Sequence, residues 1–191
     1  LRCSGLDFLT PDARDCLLPW YDAIKSEGGL ASLSAQVGDY NMLYQLLIAL
    51  LTYLPVEPLY GYKLLSILFD YVAAAGAGIL ACFAVGKENR SEGAGLLAYS
   101  AAVLSPLAVL NSSWWAQCDS IYTAFVLLAL VALCRERFLA LFLLYGAALS
   151  FKLQAVFVLP FFFLAYVLKR KFSLINFLLI PGVMVVTALP N

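Results

Sequence analysis

The feature that most constrains this chain is a train of apolar runs separated by short polar connections. The runs cover 63–86, 95–112, 119–134, 138–151, 154–168 and 172–189, with a shorter one at 43–55. A helix crossing a bilayer takes about 20 residues, with about 17–25 the usual range. The first two runs and the last reach that range, whereas those at 119–134, 138–151 and 154–168 fall short. Backbone polar groups in hydrocarbon must be paired within the segment or sheltered by protein, so the short runs are expected to be helical as well. Composition points the same way. Hydrophobic residues make up 63% of the chain and charged residues 13%, with a mean hydropathy of +0.89. A soluble domain is about half apolar and about a quarter charged. The expected fold is therefore all-α, a polytopic transmembrane helical bundle.

Basic residues orient the train. Lys87 and Arg90 follow the first run, Arg135 and Arg137 the third, and Lys169, Arg170 and Lys171 the fifth. Seven of the twelve Lys and Arg residues thus fall in three connections, which the positive-inside rule assigns to the cytoplasm. The alternate connections, 112–118 and 152–153, then lie outside together with the N-terminal segment. Parity requires 138–168 to hold two helices. The 43–55 run, ending at Pro55 and Pro58, fits an interfacial or re-entrant helix, because a normal span there would reverse the alternation. Two units follow: residues 1–62 as an external acidic loop with juxtamembrane helices, and residues 63–191 as a bundle of about six helices. No internal repeat is evident.

The chain has no histidine, which excludes histidine-based catalysis. Its five cysteines match no zinc-binding spacing. Cys82 and Cys134 lie in apolar runs as small hydrophobes, while Cys3 and Cys16 could join in an oxidising compartment. Formal net charge is zero, so no global field points to nucleic acid.

The unusual polar residues converge on the external side: Asp12, Asp15, Asp39, Gln117, Asp119, Lys152 and Gln154, with Trp114 and Trp115. The tryptophans suit either an interfacial aromatic belt or a binding site. Asp119 or Ser120 could simply cap a helix. Asp70, inside an apolar run, calls for either a pairing or a functional role. Lys152 has no acidic neighbour in sequence. Unless it snorkels to the interface, it needs a carboxylate from elsewhere or a ligand phosphate. Asn111-Ser112-Ser113 is a formal glycosylation triplet, but its place against an apolar run speaks against occupancy.

Three blocks resemble the GT-C superfamily of polyprenyl-phosphate-sugar-dependent glycosyltransferases. Asp12-Ala13-Arg14-Asp15 with Pro19-Trp20-Tyr21 and Gly28-Gly29 is similar to the acidic segment of that family's first external loop. Gly38-Asp39-Tyr40-Asn41 with Tyr44 resembles the Asp-Tyr-Pro-Pro block of the dolichyl-phosphate-glucose glucosyltransferases. Trp115 to Ser120 together with Phe151-Lys152-Leu153-Gln154 resembles their Phe-Gln-Tyr-Asn and Phe-Lys-Gln blocks, and bacterial relatives with Trp-Gly-Gln-x-Asp-Ser. Asn41-Met42 in place of Pro-Pro and Cys118-Asp119 in place of Tyr-Asn depart from the eukaryotic pattern and lean towards a bacterial cell membrane, with the endoplasmic reticulum membrane as the alternative.

The resemblance implies a first helix before the acidic loop and further helices after the last run, so that the chain is a fragment. It implies inverting transfer of a hexosyl group from a polyprenyl-phosphate sugar donor to a lipid-linked or glycan acceptor at the bilayer's external face. Asp12 is the expected general base, with Asp15 as the fallback, and Lys152 would hold the leaving phosphate. Gln117 and Gln154 would add hydrogen bonds, Asp39 and Asp119 would orient hydroxyls, and Tyr40 and Trp115 complete the substrate-binding set. No cofactor is expected; converging carboxylates would allow a divalent metal, but the resemblance does not call for one. A secondary transporter of a polar solute is the alternative from another class, and a non-catalytic scaffold a third; transporters usually gather their polar groups near the midplane with repeats.

Overall fold

The computed structural model describes residues 2–86, 91–168 and 173–188. Every regular element among them is helical. The basic residues Lys87, Arg90, Lys169, Arg170 and Lys171, on which the orientation reading rests, lie outside the described residues.

Each helix begins and ends where local chemistry dictates. α1 (Leu18–Ser26) has Pro19 in its first turn and stops at Glu27 before Gly28 and Gly29, both at positive φ. α2 (Met42–Leu51) follows extended Asn41. α3 (Pro58–Val85) opens with Pro58, and the Glu57 carboxylate accepts from the Tyr60 amide at 3.1 Å. α4 (Ser91–Leu104) breaks at Ser105, which Pro106 pushes out of helical geometry to ψ 122°, and α5 (Pro106–Val109) continues into a π-helical turn, Leu110–Trp114. α6 (Asp119–Cys134) and α7 (Phe138–Phe151) flank a turn that contains Glu136 at φ 54°. Lys152 is extended, a 3₁₀ stretch (Leu153–Val158) follows, and α8 (Leu159–Leu168) and α9 (Leu174–Ala188) complete the order.

Among the described residues, α3 alone is long and apolar enough to cross a bilayer, and the pair Ser91–Leu104 and Pro106–Trp114, bent by 44°, reaches the same standard only when counted together. Asp119–Cys134, Phe138–Phe151 and Leu153–Leu168 are shorter apolar helices. The expected run 95–112 is therefore a broken helix, and that at 154–168 opens as 3₁₀. The 62/63 boundary falls inside α3, which starts five residues earlier in the chain, at Pro58.

The bundle packs α3 against α4 and α6, α6 against α7, and α7 against α9. Close approach explains the small residues at two crossings. A Cβ on Gly78 would stand 2.9 Å from the Gly95 carbonyl oxygen, and one on Gly146 would stand 2.9 Å from Val183 Cβ. One apolar core lies among α6 to α9, around Phe142, Tyr145, Phe162 and Tyr166.

A second core lies where the sequence reads as a loop. Leu17, Tyr21, Ile24, Tyr44, Ile48 and Tyr62 pack together with Ala116, Cys118, Ile121 and Phe151. The N-terminal unit is thus a packed cap on the helices. Tyr62 donates to the Leu17 carbonyl at 2.8 Å, and buried Gln45 donates to the carbonyls of Ser32 and Ala35, both at 2.9 Å. Lys63, fully buried at the start of the bundle, donates to three carbonyls: Gly5 at 2.6 Å, Leu6 at 2.9 Å and Phe8 at 2.6 Å. Three dipoles replace the water that a buried ammonium would otherwise lose.

Lys63→Met removes the shared donor of all three carbonyls. It should lower unfolding free energy by about 2–3 kcal/mol and expose the segment before Thr10 to proteolysis. A wild-type melting midpoint with an unchanged cleavage pattern would show that the clamp contributes nothing.

Candidate functional site

The site is organised by three consecutive residues at the entry to α6. Gln117 Nε2 donates to Asp12 Oδ2 at 2.7 Å. Cys118 packs beside Tyr40. Asp119 forms an ion pair with Lys152. One tripeptide therefore gathers the segment before α1, the segment before α2, and the junction after α7. It is itself stapled to α3: Ser66 Oγ donates to the Gln117 carbonyl at 2.8 Å, and Ser120 Oγ donates to the Ser66 carbonyl at 2.9 Å.

The chain reaches this position through strain. Ala116, completely buried, sits at φ 57° and ends the π-helical turn in the left-handed region usually reserved for glycine. Such a conformation costs an alanine about 1–2 kcal/mol. The amides of Trp115, Ala116 and Gln117 fold back onto the carbonyls of Leu110, Ser112 and Asn111 at 3.0–3.2 Å, which holds the reversal in place.

Beside the strip lies a cavity of about 580 Å³. Asp39, Tyr40, Lys152 and Gln154 line its polar part, while Phe151, Leu153, Met184 and Val185 supply apolar wall. Lys152 is accessible there because the helix breaks at it, with φ −152° and ψ 124°. Burial opposes its charge, but the hydrogen bond and the charge of Asp119 outweigh that and hold its pKa above the ordinary lysine value. Burial pushes the Cys118 thiol up to about 11, so it stays protonated at neutral pH and is no nucleophile. Burial, then Cys118, raises the Tyr40 phenol likewise. Cys16, next to the acidic segment, is raised by burial first and then by the charges of Asp12, Asp39 and Asp15.

The expected residues divide as follows. Asp39, Tyr40, Lys152 and Gln154 line one cavity, and Asp119 joins it through its ion pair with Lys152, whereas the Gln117 side chain bonds to Asp12. Asp12 is not in the cavity lining; it is tied to the strip by one oxygen, and Oδ1 has no partner among the described residues. Asp15 is exposed and held by neighbouring Arg14, with contacts of 2.7 and 3.1 Å. Trp115 is 57% exposed and outside the cavity, whereas Trp114 packs on Phe8 with ring centroids 5.2 Å apart. All five cysteines are free. No group of three or more His, Cys, Asp or Glu side chains among the described residues could hold a metal ion.

Of the two anions that Lys152 calls for, a protein carboxylate is present. Asp70 likewise takes the pairing role, bound by Arg2 and by Ser112 Oγ. Sequence reading missed Arg2, Lys63, Ser66 and Ser112, whose partners stand 42 to 110 residues away in the chain. Only a charge or hydroxyl inside an apolar run hinted at Lys63 and Ser66.

No protein-family model, curated protein or solved structure matches this chain. The functional reading rests on its own residues.

The Lys152–Asp119 pair gives a pH prediction with a definite sign. Because the folded lysine pKa is raised, its stabilisation is complete below the unfolded value of about 10.4. It is lost as pH rises through the higher folded value. A double-mutant cycle with Asp119→Asn and Lys152→Met should return a coupling of about 1 kcal/mol at neutral pH, falling towards zero as pH rises through the raised lysine value. A coupling that grows with pH would contradict the pairing.

Proposed function

We propose that this protein is a multi-pass membrane glycosyltransferase that moves a sugar from a polyprenyl-phosphate donor to a hydroxyl acceptor on the extracytoplasmic side. The observation that carries the reading is the strip Gln117–Asp119, which holds Asp12 through Gln117 and, through Asp119, holds Lys152 at the wall of a largely apolar cavity. An inverting displacement needs a base for the acceptor proton and a positive group for the departing phosphate.

In this reading the acceptor hydroxyl attacks the anomeric carbon as the bond to the phosphate oxygen breaks. The free Oδ1 of Asp12 receives the hydroxyl proton, with Gln117 orienting the carboxylate. Lys152 turns from Asp119 to the phosphate, which leaves carrying the electron pair of the broken bond. Gln154 and Asp39 contact polar parts of the substrate. The apolar wall around Met184 and Val185 takes the start of the prenyl chain. Leucines on the outer helix faces, such as Leu97 at 72% and Leu107 at 78% exposure, suit contact with lipid better than water. This supports a multi-pass arrangement in which the shorter helices cross as parts of the bundle.

A second reading, secondary transport, draws on the helix breaks at Ser105–Pro106 and at Lys152, since transporters bind solutes at interrupted helices.

The protein in liposomes should consume a radiolabelled polyprenyl-phosphate sugar from a panel of such donors. Asp12→Asn should lower the rate by about 10²–10⁴-fold with donor binding retained. Lys152→Ala should weaken donor binding instead. Solute uptake into the same liposomes, with every donor left intact, would replace the enzyme reading with the transporter.

A further inference from the structure

A second cavity, of about 450 Å³, lies on the other side of the ion pair, between α3, α6 and the bend where α4 meets α5. Lys152 lines the first cavity and Asp119 lines the second, so the pair stands between the two. One face of α3, Asp70, Ala73, Ala74 and Ala77, forms one wall; Asp119, Ser120, Thr123 and Leu127 of α6 form another. The spacing of both sets is that of a single helix face.

The lining defines the ligand. Both carboxylates are compensated, Asp70 by Arg2 and Asp119 by Lys152, so the cavity presents no net charge. An anion would meet two carboxylates, and a cation would have to displace an arginine or a lysine. Ser105, Asn111 and Thr123 line the space, and none of their side chains hydrogen-bonds to another described residue. All three are half-buried, so their hydroxyl and amide groups remain open to a ligand's hydroxyls. Beyond them the α3 wall is alanine, flat enough for an alkyl chain. The chemistry that satisfies this set is a neutral polyol head on an apolar tail.

We propose that the second cavity binds an uncharged, hydroxyl-bearing amphiphile, and that an anion in the first cavity strengthens this binding by drawing Lys152 away from Asp119. The site follows from its own lining; the linkage rests on the reading of Lys152 given above. While paired, Asp119 has its charge taken up by the ammonium. Once an anion takes the ammonium, the freed carboxylate accepts hydrogen bonds from ligand hydroxyls, which are stronger than neutral ones. By reciprocity, the amphiphile strengthens anion binding by the same factor.

The test uses the protein in nanodiscs, with octyl β-glucoside as the amphiphile, methyl β-glucoside as the headgroup alone, and farnesyl phosphate as the anion. Wild type should bind octyl glucoside more tightly than methyl glucoside, and saturating farnesyl phosphate should tighten that binding about tenfold. Ala77→Phe, which fills the apolar end, should abolish octyl glucoside binding and leave farnesyl phosphate binding intact. Asn111→Ala, milder for packing, should weaken the glucoside about fivefold. Octyl glucoside binding unchanged in both variants, or equal to that of methyl glucoside, overturns the site. Tenfold tightening that persists in Asp119→Asn overturns the linkage. Failure of wild type to bind farnesyl phosphate sinks the reading of Lys152, whereas glucoside binding sensitive to Ala77→Phe still upholds the site.

Discussion

The candidate site depends on how the chain turns between the π-helical turn and α6. Ala116 accepts a left-handed backbone so that Gln117, Cys118 and Asp119 can face three different segments. The reciprocal bonds with Ser66 then lock the strip onto the longest helix. Strain of this kind persists only where the surroundings over-determine it, and it concentrates at sites where geometry matters more than stability. Here the surroundings are a buried aromatic core and three backbone bonds.

That core changes the character of the N-terminal residues. A solvated acidic loop would leave Asp12 and Asp39 free to wander. A cap built on Tyr21, Tyr44 and Tyr62, with Gln45 and Lys63 satisfying buried carbonyls, holds both aspartates relative to the helices. Site geometry held by packed elements is more reproducible than geometry held by loops. The price is a fully buried lysine, acceptable only because three carbonyl oxygens surround it.

Charge is balanced locally as well as over the whole chain. Arg2 meets Asp70, Lys152 meets Asp119 and Arg14 meets Asp15, but the three pairs differ in consequence. The exposed Arg14–Asp15 pair is worth little, as surface pairs are. Breaking either of the others would leave an uncompensated charge in a poor dielectric. The Lys152–Asp119 pair alone separates two cavities, so a ligand able to replace either partner changes both spaces.

The sequence by itself determined the all-helical class and the main apolar segments, because a long apolar run must pair its backbone groups within itself; the start at Pro58 and the break at Pro106 came only with the structure. The sequence also marked Lys152 and Asp70 as charges in need of partners, since an ion in an apolar run cannot stay unpaired. Only the tertiary structure decided who the partners are. Asp119 lies 33 residues before Lys152 and Arg2 lies 68 before Asp70, and no local rule selects one carboxylate or guanidinium over another at such separations. The same limit hid the cap's core. Its tyrosines are spread over 42 residues of polar sequence and become a hydrophobic cluster only when α1, α2 and α3 fold together. Pairing and burial depend on which surfaces meet, and that is settled by packing the whole chain.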